Sequence, residues 1–351
     1  MSYFSLYVFA FLLNFIFTFA DFVPPARTDH TSVLVDKKLY FSGGDNLNGS
    51  LNDFFYLDVS QQFNITSLPW NDITFTGDLR SSGASACSGR NINYLFIFGG
   101  RINPKKFVLK YDINNQNWTY VISGRKRPTN RIYISCSKFN NRSIAIFGGY
   151  NIEEEEVITN DLWIFDSLEL TWNLSNASNA LNAPPAIWSY CVITLLDETI
   201  LYIGGMFYDI NNDADILMPL NSLPLYDSTS DTWKSLDTSG PTPPSRRAFS
   251  AVLTSDNRII IFGGLDVGFS TLGDLWILDI ATKQWSAGNI SNPNGLAISS
   301  HTATLVDNYM IVAFGSYNIT NESSTIYMLD VSRRDFYTWV TEFIPSTTNF
   351  K

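Results

Sequence analysis

Residues 259–264 read Ile-Ile-Ile-Phe-Gly-Gly, a run of β-forming residues that ends in a glycine pair. The same pattern recurs at 39–44, 95–100, 144–149 and 201–205, and in a degenerate form at 311–316. The first glycines, at 43, 99, 148, 204, 263 and 315, are 56, 49, 56, 59 and 52 residues apart. A unit of this length, present six times, indicates a repeat architecture rather than one large core.

A second element follows each glycine pair. A short apolar strand ends in Asp, and an aromatic residue follows about six residues later. Turn-forming residues lie between them, so the element reads as a hairpin in which the aromatic opens the second strand. The pairs are Asp58 and Phe63, Asp112 and Trp118, Asp166 and Trp172, Asp227 and Trp233, Asp279 and Trp285, and Asp330 with Phe336 or Trp339.

A third element precedes each glycine pair. It is a proline-containing loop, usually with an arginine, followed by a strand of small and apolar residues; 25–30, 128–131 and 243–247 are examples. Each unit therefore contains four strands, A to D, in an up-and-down meander. One such sheet cannot bury both of its faces, but several packed around an axis can.

The order Pro-x-x-Arg-x-x-His, strand, Gly-Gly, strand-Tyr-Asp, turn and Trp is similar to the kelch motif, and it covers about residues 24 to 341. The resemblance implies an all-β fold, a six-bladed β-propeller with four antiparallel strands per blade, like the galactose-oxidase-like and attractin- or muskelin-like propellers. The blades are expected at about 24–70, 77–122, 128–175, 184–236, 243–288 and 295–341. Blades 1 and 6 should meet at the termini; the alternative is a strand exchanged there by residues 21–23 or 344 onward.

The repeated glycines and tryptophans are predicted to be structural. Strand B must turn sharply beside a crowded channel, where only glycine accepts positive φ or such close backbone approach. The tryptophans are predicted to pack between blades. The residues are Gly43, Gly44, Gly99, Gly100, Gly148, Gly149, Gly204, Gly205, Gly263, Gly264 and Gly315, with Trp118, Trp172, Trp233 and Trp285.

The N-terminus resembles a secretory signal. Residues 3–19 are almost all apolar, and Thr18-Phe19-Ala20 offers the small-x-small pattern of a cleavage site. We predict a signal peptide at 1–20, a propeller at 21–345 and a polar tail at 346–351, hence a secreted chain with no membrane span after cleavage. No Lys or Arg precedes the apolar run, so the alternative is an uncleaved N-terminal anchor. Nine candidate glycosylation sites follow: Asn48, Asn64, Asn117, Asn141, Asn173, Asn176, Asn289, Asn318 and Asn321.

Composition excludes one class of partner. The chain of 351 residues has a formal net charge of −10, which argues against a nucleic acid because the phosphates would be repelled. Aromatic residues make up 15% and charged residues only 16%, so charged helices should not dominate.

The three cysteines occupy one column of the repeat. Cys87 and Cys136 lie 12 residues before the first glycine of their blades, and Cys191 lies 13 before. Other blades place Thr31, Ala251 and Ala303 there. We therefore expect buried free thiols that act as small apolar residues. A disulfide would need Cα atoms within about 7 Å, closer than we expect of adjacent innermost strands.

The sequence offers little for catalysis. A galactose-oxidase-like copper site needs two His, two Tyr and a Cys, whereas the chain has only His30 and His301, both at the start of strand A. They are predicted to hydrogen-bond the backbone; the alternative is a metal shared between neighbouring blades 1 and 6. No nucleophile elbow, phosphate loop or zinc motif is present. We predict no catalytic residue, metal or cofactor.

The candidate site is the face from which the B–C and D–A loops emerge. The residues after the glycine pairs are Asp45, Arg101, Tyr150, Met206, Leu265 and Tyr317, and the D–A loops add Arg27, Arg80, Arg131, Arg246 and Trp188. From these we select Arg101, Trp188, Tyr150, Met206, Arg131, Arg80, Arg246 and Tyr317 as binding residues, since arginine and aromatics are enriched in interface hot spots. The alternative for the D–A arginines is pairing within their own blades.

Two loops on this face are long. Residues 151–160 carry an acidic run, Glu153 to Glu156, which is typical of a solvated surface. Residues 206–224 carry Asp209, Asp213 and Asp215, for which a Ca²⁺ site is an alternative that lacks the EF-hand pattern. Arg125, Lys126 and Arg127 precede blade 3, so the face has mixed charge.

These observations favour a secreted, monomeric binding module that recognises a protein or a glycan through its loop face. A secreted carbohydrate-active or copper-oxidase-like enzyme on the same scaffold is the alternative. A third hypothesis is the luminal domain of a longer, membrane-anchored form.

Overall fold

The computed structural model describes residues 22–77, 81–101, 107–122, 124, 126–151, 158–178, 180–334 and 336–346. In these residues the regular elements are β-strands and two 3₁₀ turns, Thr74–Thr76 and Pro293–Gly295. The all-β expectation is confirmed. Among the described residues, no helix is long and apolar enough to cross a membrane. The predicted signal peptide and most of the predicted tail lie outside this part of the chain.

Six sheets of four antiparallel strands follow one another along the chain, each in the order A-B-C-D. Their strands are Thr31–Val35, Lys38–Ser42, Phe54–Asp58 and Trp70–Asp72 in blade 1; Ala84–Ser88, Tyr94–Gly99, Val108–Asp112 and Asn117–Tyr120 in blade 2; Cys136–Phe139, Ser143–Phe147, Leu162–Asp166 and Thr171–Leu174 in blade 3; Cys191–Thr194, Ile200–Ile203, Ser222–Asp227 and Thr232–Asp237 in blade 4; Ser250–Leu253, Arg258–Phe262, Leu275–Asp279 and Gln284–Ala287 in blade 5; and Thr302–Val306, Tyr309–Ala313, Ile326–Asp330 and Thr338–Val340 in blade 6.

Smaller strand pairs lie outside these sheets. On the loop face they are Asp45–Asn46 with Gly49–Ser50, Arg131–Ile132 with Tyr150–Asn151, Met206–Asp209 with both Ile187–Trp188 and Ala214–Leu217, and Ser316–Asn318 with Asn321–Glu322. Each extends a B–C connection into a hairpin or joins it to a D–A loop. The loop face is therefore built largely from hydrogen-bonded backbone.

A closed ring of backbone hydrogen bonds surrounds the central channel. One residue just before strand A of each blade has a left-handed φ, and its N–H donates to the equivalent carbonyl of a neighbouring blade. It lies two positions before the strand in most blades, one before it in blade 2 and three before it in blade 3. The donors and acceptors are Gly83 to Asp29, Tyr133 to Gly83, Ser189 to Tyr133, Ala248 to Ser189, Ser300 to Ala248 and Asp29 to Ser300, at 2.8 to 3.1 Å. The last bond returns to the first residue, so the six sheets form one cycle.

The glycine pairs form a second ring. The second glycine of each pair donates to a carbonyl of the adjacent blade: Gly44 to Ser81, Gly100 to Arg131, Gly149 to Ile187, Gly205 to Arg246, Gly264 to Ile298 and Gly315 to Arg27. A Cβ at Gly43 would lie 2.2 Å from the Ser81 carbonyl oxygen, so the first position also needs glycine for close approach.

Blade 6 departs from the predicted register. Gly315 makes the bond of a second glycine, and Phe314, with a φ of 57°, occupies the place of the first. Ser316 is therefore the residue that follows the pair, and the assignment of Tyr317 to that column was wrong by one position.

Aromatic side chains fill the spaces between blades. Ring centroids of Trp118, Trp172 and Trp233 lie 4.8 to 5.9 Å from Phe54, Phe98 and Phe147 of the preceding blade. The Trp285 indole N–H donates to the Leu220 carbonyl of blade 4 at 2.9 Å. Such ring pairs contribute roughly 0.5 to 1.5 kcal/mol each beyond their buried area.

Blade 1 uses a different aromatic from the predicted one, and blade 6 uses one of its two predicted alternatives. In blade 1 Trp70 pairs with Leu57 across strands C and D, whereas Phe63 lies in an insertion before strand D. In blade 6 Trp339 pairs with Leu329, while Phe336 is exposed. The strand register therefore selects Trp339 from the two alternatives.

The C-terminal segment closes the ring from outside the sheets. Strand Glu342–Phe343 pairs with Phe63–Asn64 of blade 1, and the Phe63 and Phe343 rings stack at 4.7 Å. The Ile65 N–H also donates to the Thr341 carbonyl at 2.8 Å. Blades 1 and 6 are each built from four strands that are contiguous in the chain. The strand exchange predicted as an alternative for residues 344 onward is not found in the part of the chain that the structure describes; a short extra strand at 342–343 pairs with blade 1 instead.

Candidate binding face

The B–C hairpins and D–A loops lie on one face and pair with each other. Backbone bridges join Thr28 to Asp45, Trp188 to Met206, Arg247 to Leu265 and Ser299 to Ser316. These bridges fix the bases of the hairpins around the channel mouth, so the hairpin tips project away from the blade sheets.

These tips carry large exposed apolar side chains. The exposed fractions are 69% for Leu47, 85% for Ile210, 77% for Val267, 63% for Phe269 and 89% for Ile319. They belong to blades 1, 4, 5 and 6; the tips of blades 2 and 3 lie outside the described residues. We call these five residues the apolar crown. Soluble monomers rarely group exposed apolar residues around one opening unless the surface binds something.

A charged cluster occupies the channel mouth inside the crown. Burial raises the pKa of Asp29 to about 6, although a hydrogen bond with Ser300 and the charges of Arg101 and Arg247 favour its ionised form. Burial also lowers the pKa of Arg247, whose guanidinium stacks on Phe269 at 4.9 Å. The mouth can thus offer both donors and acceptors to a ligand.

An aromatic cleft of about 560 Å³ lies between blades 3 and 4. Its lining includes Tyr150, Trp188, Tyr208, Ile210 and Asp215. Tyr150 and Trp188 meet edge to face at 6.1 Å, which sets one wall. The Tyr208 hydroxyl donates to Asp213 and fixes the opposite ring. A second cleft, of about 520 Å³, adjoins Phe269 and Ile319 between blades 5, 6 and 1.

Two predicted binding arginines are inaccessible. Arg131 and Arg246 are 1% and 0% exposed and pair with Asp161 and Asp274 of their own blades. Burial opposes ionisation of these aspartates, but hydrogen bonds and the arginine charges outweigh it and lower both aspartate pKa values. Arg27 repeats the arrangement with Asp53. The prediction that Arg131 and Arg246 contact a partner was wrong, and the alternative of pairing within the blade holds.

The remaining predicted binding residues differ in how accessible they are to a partner. Arg101 is exposed beside the mouth, and Tyr150 is half-buried in the aromatic cleft. Trp188 is only 6% exposed and Met206 is buried, so they shape the cleft and offer a partner little surface. The Tyr317 hydroxyl is bonded to Ser323 and Tyr327. Arg80 lies outside the described residues.

Sequence reasoning missed the apolar crown because its members occupy no repeat column. They stand in hairpins whose lengths differ between blades, so a search for repeating positions passes over them. Their one sequence signal was an apolar residue in a polar turn, such as Ile319 between Asn318 and Thr320.

Both histidines line the channel, a cavity of about 240 Å³ between the A strands. His30 Nε2 bonds the Thr302 hydroxyl at 2.9 Å, and His301 Nε2 bonds the Ser250 hydroxyl at 2.8 Å. Their partners are side chains of neighbouring blades rather than the predicted backbone. Within the described chain, no group of three or more His, Cys, Asp or Glu is arranged to hold a metal ion.

The cysteine prediction was wrong for two of the three residues. Cys87 and Cys136 form a disulfide between the A strands of blades 2 and 3, with Cα atoms 6.3 Å apart. The innermost strands converge near the axis, which brings these Cα atoms within disulfide range. Cys191 is free, and its thiol donates to the Phe249 carbonyl at 3.1 Å.

Acid should destabilise the fold through the buried histidines. Burial lowers the pKa of His301 to about 3, below the usual 6.5, and lowers that of His30 in the same direction. Between about pH 3 and pH 6.5, the His301 imidazole binds a proton in the unfolded chain but not in the folded protein. Stability should therefore be full above pH 6.5 and fall as pH decreases, by about 1.4 kcal/mol per pH unit for each such histidine.

Urea unfolding at pH 7, 6 and 5 measures this slope. His301→Gln should reduce it by about one proton, or 1.4 kcal/mol per pH unit. Asp29→Asn should steepen it below pH 6, because the raised pKa of Asp29 makes the folded state take up a proton there. A slope unchanged by His301→Gln would contradict the assignment.

The remaining sequence-derived sites can be placed. All nine candidate glycosylation asparagines are exposed, and Asn48, Asn318 and Asn321 lie on the hairpins of blades 1 and 6. Asp209 accepts from the Asn211 N–H at 2.9 Å and from Asn212 Nδ2, so it caps its own turn. The Glu153 to Glu156 run and Arg125 lie outside the described residues.

Comparison with known proteins agrees with this architecture. The family described as the KLHDC2/KLHL20/DRC7 Kelch-repeats domain matches residues 60–218 and 193–348. Acyl-CoA-binding domain-containing protein 5 of Arabidopsis thaliana is 24% identical over 84% of this chain and 45% of that protein. F-box/kelch-repeat protein At1g51550 of the same plant is 26% identical over 66% of this chain and 50% of that protein. The chain thus spans about half the length of these curated relatives.

Among solved structures, YjhT matches with a TM-score of 0.68 and 14% identity, over 91% of this chain and 98% of that one. At this identity the likeness concerns the fold alone. The repeat, the ring of six sheets and the family match over most of the chain lead to one assignment: the chain belongs to the kelch-repeat family.

Proposed function

We propose that the chain is a secreted binding module that holds a protein partner on its loop face. The observation that carries the proposal is the apolar crown around a charged mouth, because interface cores combine apolar anchors with polar groups that set orientation. Two adjoining clefts provide concave pockets for side chains of a partner. The kelch-repeat family match and relatives such as the F-box/kelch-repeat protein support an interaction role.

Three features support secretion. The apolar N-terminal run resembles a signal peptide, nine exposed asparagines stand in glycosylation motifs, and a disulfide joins Cys87 to Cys136. Structural disulfides persist mainly in oxidising compartments. Cleavage after Ala20 and glycan occupancy are directly measurable on the purified protein by mass spectrometry.

The binding test compares two faces of the same protein. The purified chain would capture partners from a cell-surface and extracellular extract, beside an Ile210→Ser/Phe269→Ser variant of the crown. The matched control is Leu196→Ser/Phe336→Ser, which removes two equally exposed apolar side chains from turns on the opposite face. We expect specific partners to be reduced at least ten-fold by the crown variant and retained by the control. Retention by both variants would refute the choice of face.

A further inference from the structure

The charge of the chain is concentrated in one sector. Residues 143–233, which make up most of blades 3 and 4, contain 14 of the 33 acidic residues and none of the 23 basic ones. The rest of the chain has 19 acidic residues against 23 basic ones. This sector therefore has a formal charge of −14 and the rest of the chain a formal charge of +4, which together give the −10 of the whole chain.

Part of this charge is neutralised at the sector boundary. Asp161 and Asp166 form ion pairs with Arg131 and Arg142, which lie just outside the stretch. Three aspartates remain together on the blade 4 hairpin: Asp209 and Asp215 in its strands and Asp213 in its turn. Of the three, Asp215 interacts electrostatically with Arg247, whose charge burial disfavours.

The aromatic cleft opens beside these aspartates. Tyr150, Trp188 and Tyr208 contribute three rings to its lining, and Asp215 contributes a carboxylate. Aromatic faces attract cations through the ring quadrupole, and a neighbouring carboxylate adds direct attraction. A cleft of about 560 Å³ has room for one long side chain and part of the backbone that carries it.

We propose that this cleft is the docking site for an arginine or lysine side chain, presented by a basic segment of a protein partner. The acidic sector draws the segment toward blades 3 and 4 by long-range attraction, and the Tyr150 and Tyr208 rings with Asp215 hold its cation. The inference rests on the proposed function, since it names the chemistry of the partner. The two parts of the loop face then have different roles. The crown makes apolar contacts with the partner, and the cleft favours a partner that carries positive charge.

The test uses the intact chain with defined probes. Three peptides of eight residues, rich in arginine and lysine, rich in glutamate, or neutral, would be titrated by calorimetry at 50 and 300 mM salt, beside a neutral oligosaccharide. We expect saturable binding of the basic peptide alone, weakened several-fold at the higher salt because the charges are screened. Binding of the neutral peptide or oligosaccharide, without salt dependence, would overturn the proposal.

Matched variants locate the site. Asp215→Asn and Tyr208→Ala should each weaken the basic peptide about two- to five-fold, the range of an exposed cation–π or ionic contact. Tyr208→Phe keeps the ring but removes the hydroxyl that bonds Asp213, and it should weaken the basic peptide less than Tyr208→Ala does. Asp197→Asn removes the same charge from the same blade, in the A–B turn on the opposite face, and should also bind like the parent. Equal loss in Asp197→Asn and Asp215→Asn would show a diffuse charge effect and refute the cleft.

Failure of this inference differs from failure of the proposed function. If the crown variant loses its captured partners while the basic peptide does not bind the parent, the face binds proteins but the cleft does not select cations. If the basic peptide binds as expected and the crown variant keeps all partners, the cleft binds cations but the crown does not hold the captured partners.

Discussion

Arg246→Met is expected to destabilise the fold by about 3 kcal/mol, the largest effect of any single ion pair considered. Arg246 is fully buried, donates to the Pro244 and Gly263 carbonyls at 3.1 Å, and contacts both carboxylate oxygens of Asp274 at 2.7 and 2.8 Å. Breaking a buried ion pair on one side costs about 3 to 5 kcal/mol. The low end applies because the Asp274 side chain is 38% exposed and keeps some hydration.

Urea unfolding of the variant measures the loss. Arg334→Met is the matched control, since its partner Asp279 sits in an exposed pair whose removal should cost less than about 1 kcal/mol. The double variant Arg246→Met/Asp274→Leu should regain part of the loss, because it no longer leaves a carboxylate without a partner. Similar losses for Arg246→Met and Arg334→Met would contradict a structural role for the buried pair.

The repeating parts of the fold were predictable because the same constraint acts six times. A glycine pair beside the axis is required wherever strand B approaches the next blade, so the period is visible in the sequence. The same logic explains the buried arginines Arg27, Arg131 and Arg246, which recur in the D–A loops because each pairs inside its own blade. The selection of Arg131 and Arg246 as partner contacts overlooked this recurrence. Phe314 shows the limit of this logic. Phenylalanine stands in place of the first glycine of the pair in blade 6, so the pair was assigned one residue too far along the chain.

The candidate site was much less predictable. Ile210, Phe269 and Ile319 stand in hairpins that differ between blades, so no column identifies them. The Cys87–Cys136 disulfide depends on the distance between strands of different blades, which the sequence of either blade does not contain. Trp188 was selected because it breaks the repeat pattern, yet it is buried against Met206 and Tyr150. Departure from a repeat therefore indicates a local adjustment as readily as a binding residue.

Loss of the Cys87–Cys136 disulfide should cost about 4 kcal/mol. The two cysteines are 49 residues apart, and the chain-entropy relation gives about 4 kcal/mol for a closed loop of this length. The bond also joins the A strands of blades 2 and 3, which line the central channel. Opening it removes a covalent tie from one blade interface while the hydrogen-bonded rings remain.

Urea unfolding with and without a thiol reductant separates the bond from the side chains. Cys87→Ala/Cys136→Ala should lose about 4 kcal/mol without reductant and should not respond to it, whereas the parent should fall to nearly the same stability when reduced. Cys191→Ala is the control: it removes a free thiol that donates one hydrogen bond, should cost about 1 kcal/mol, and should keep the full response to reductant. If the parent does not respond to reductant, the bond either is absent or adds nothing to stability, and its support for an oxidising compartment is lost with it.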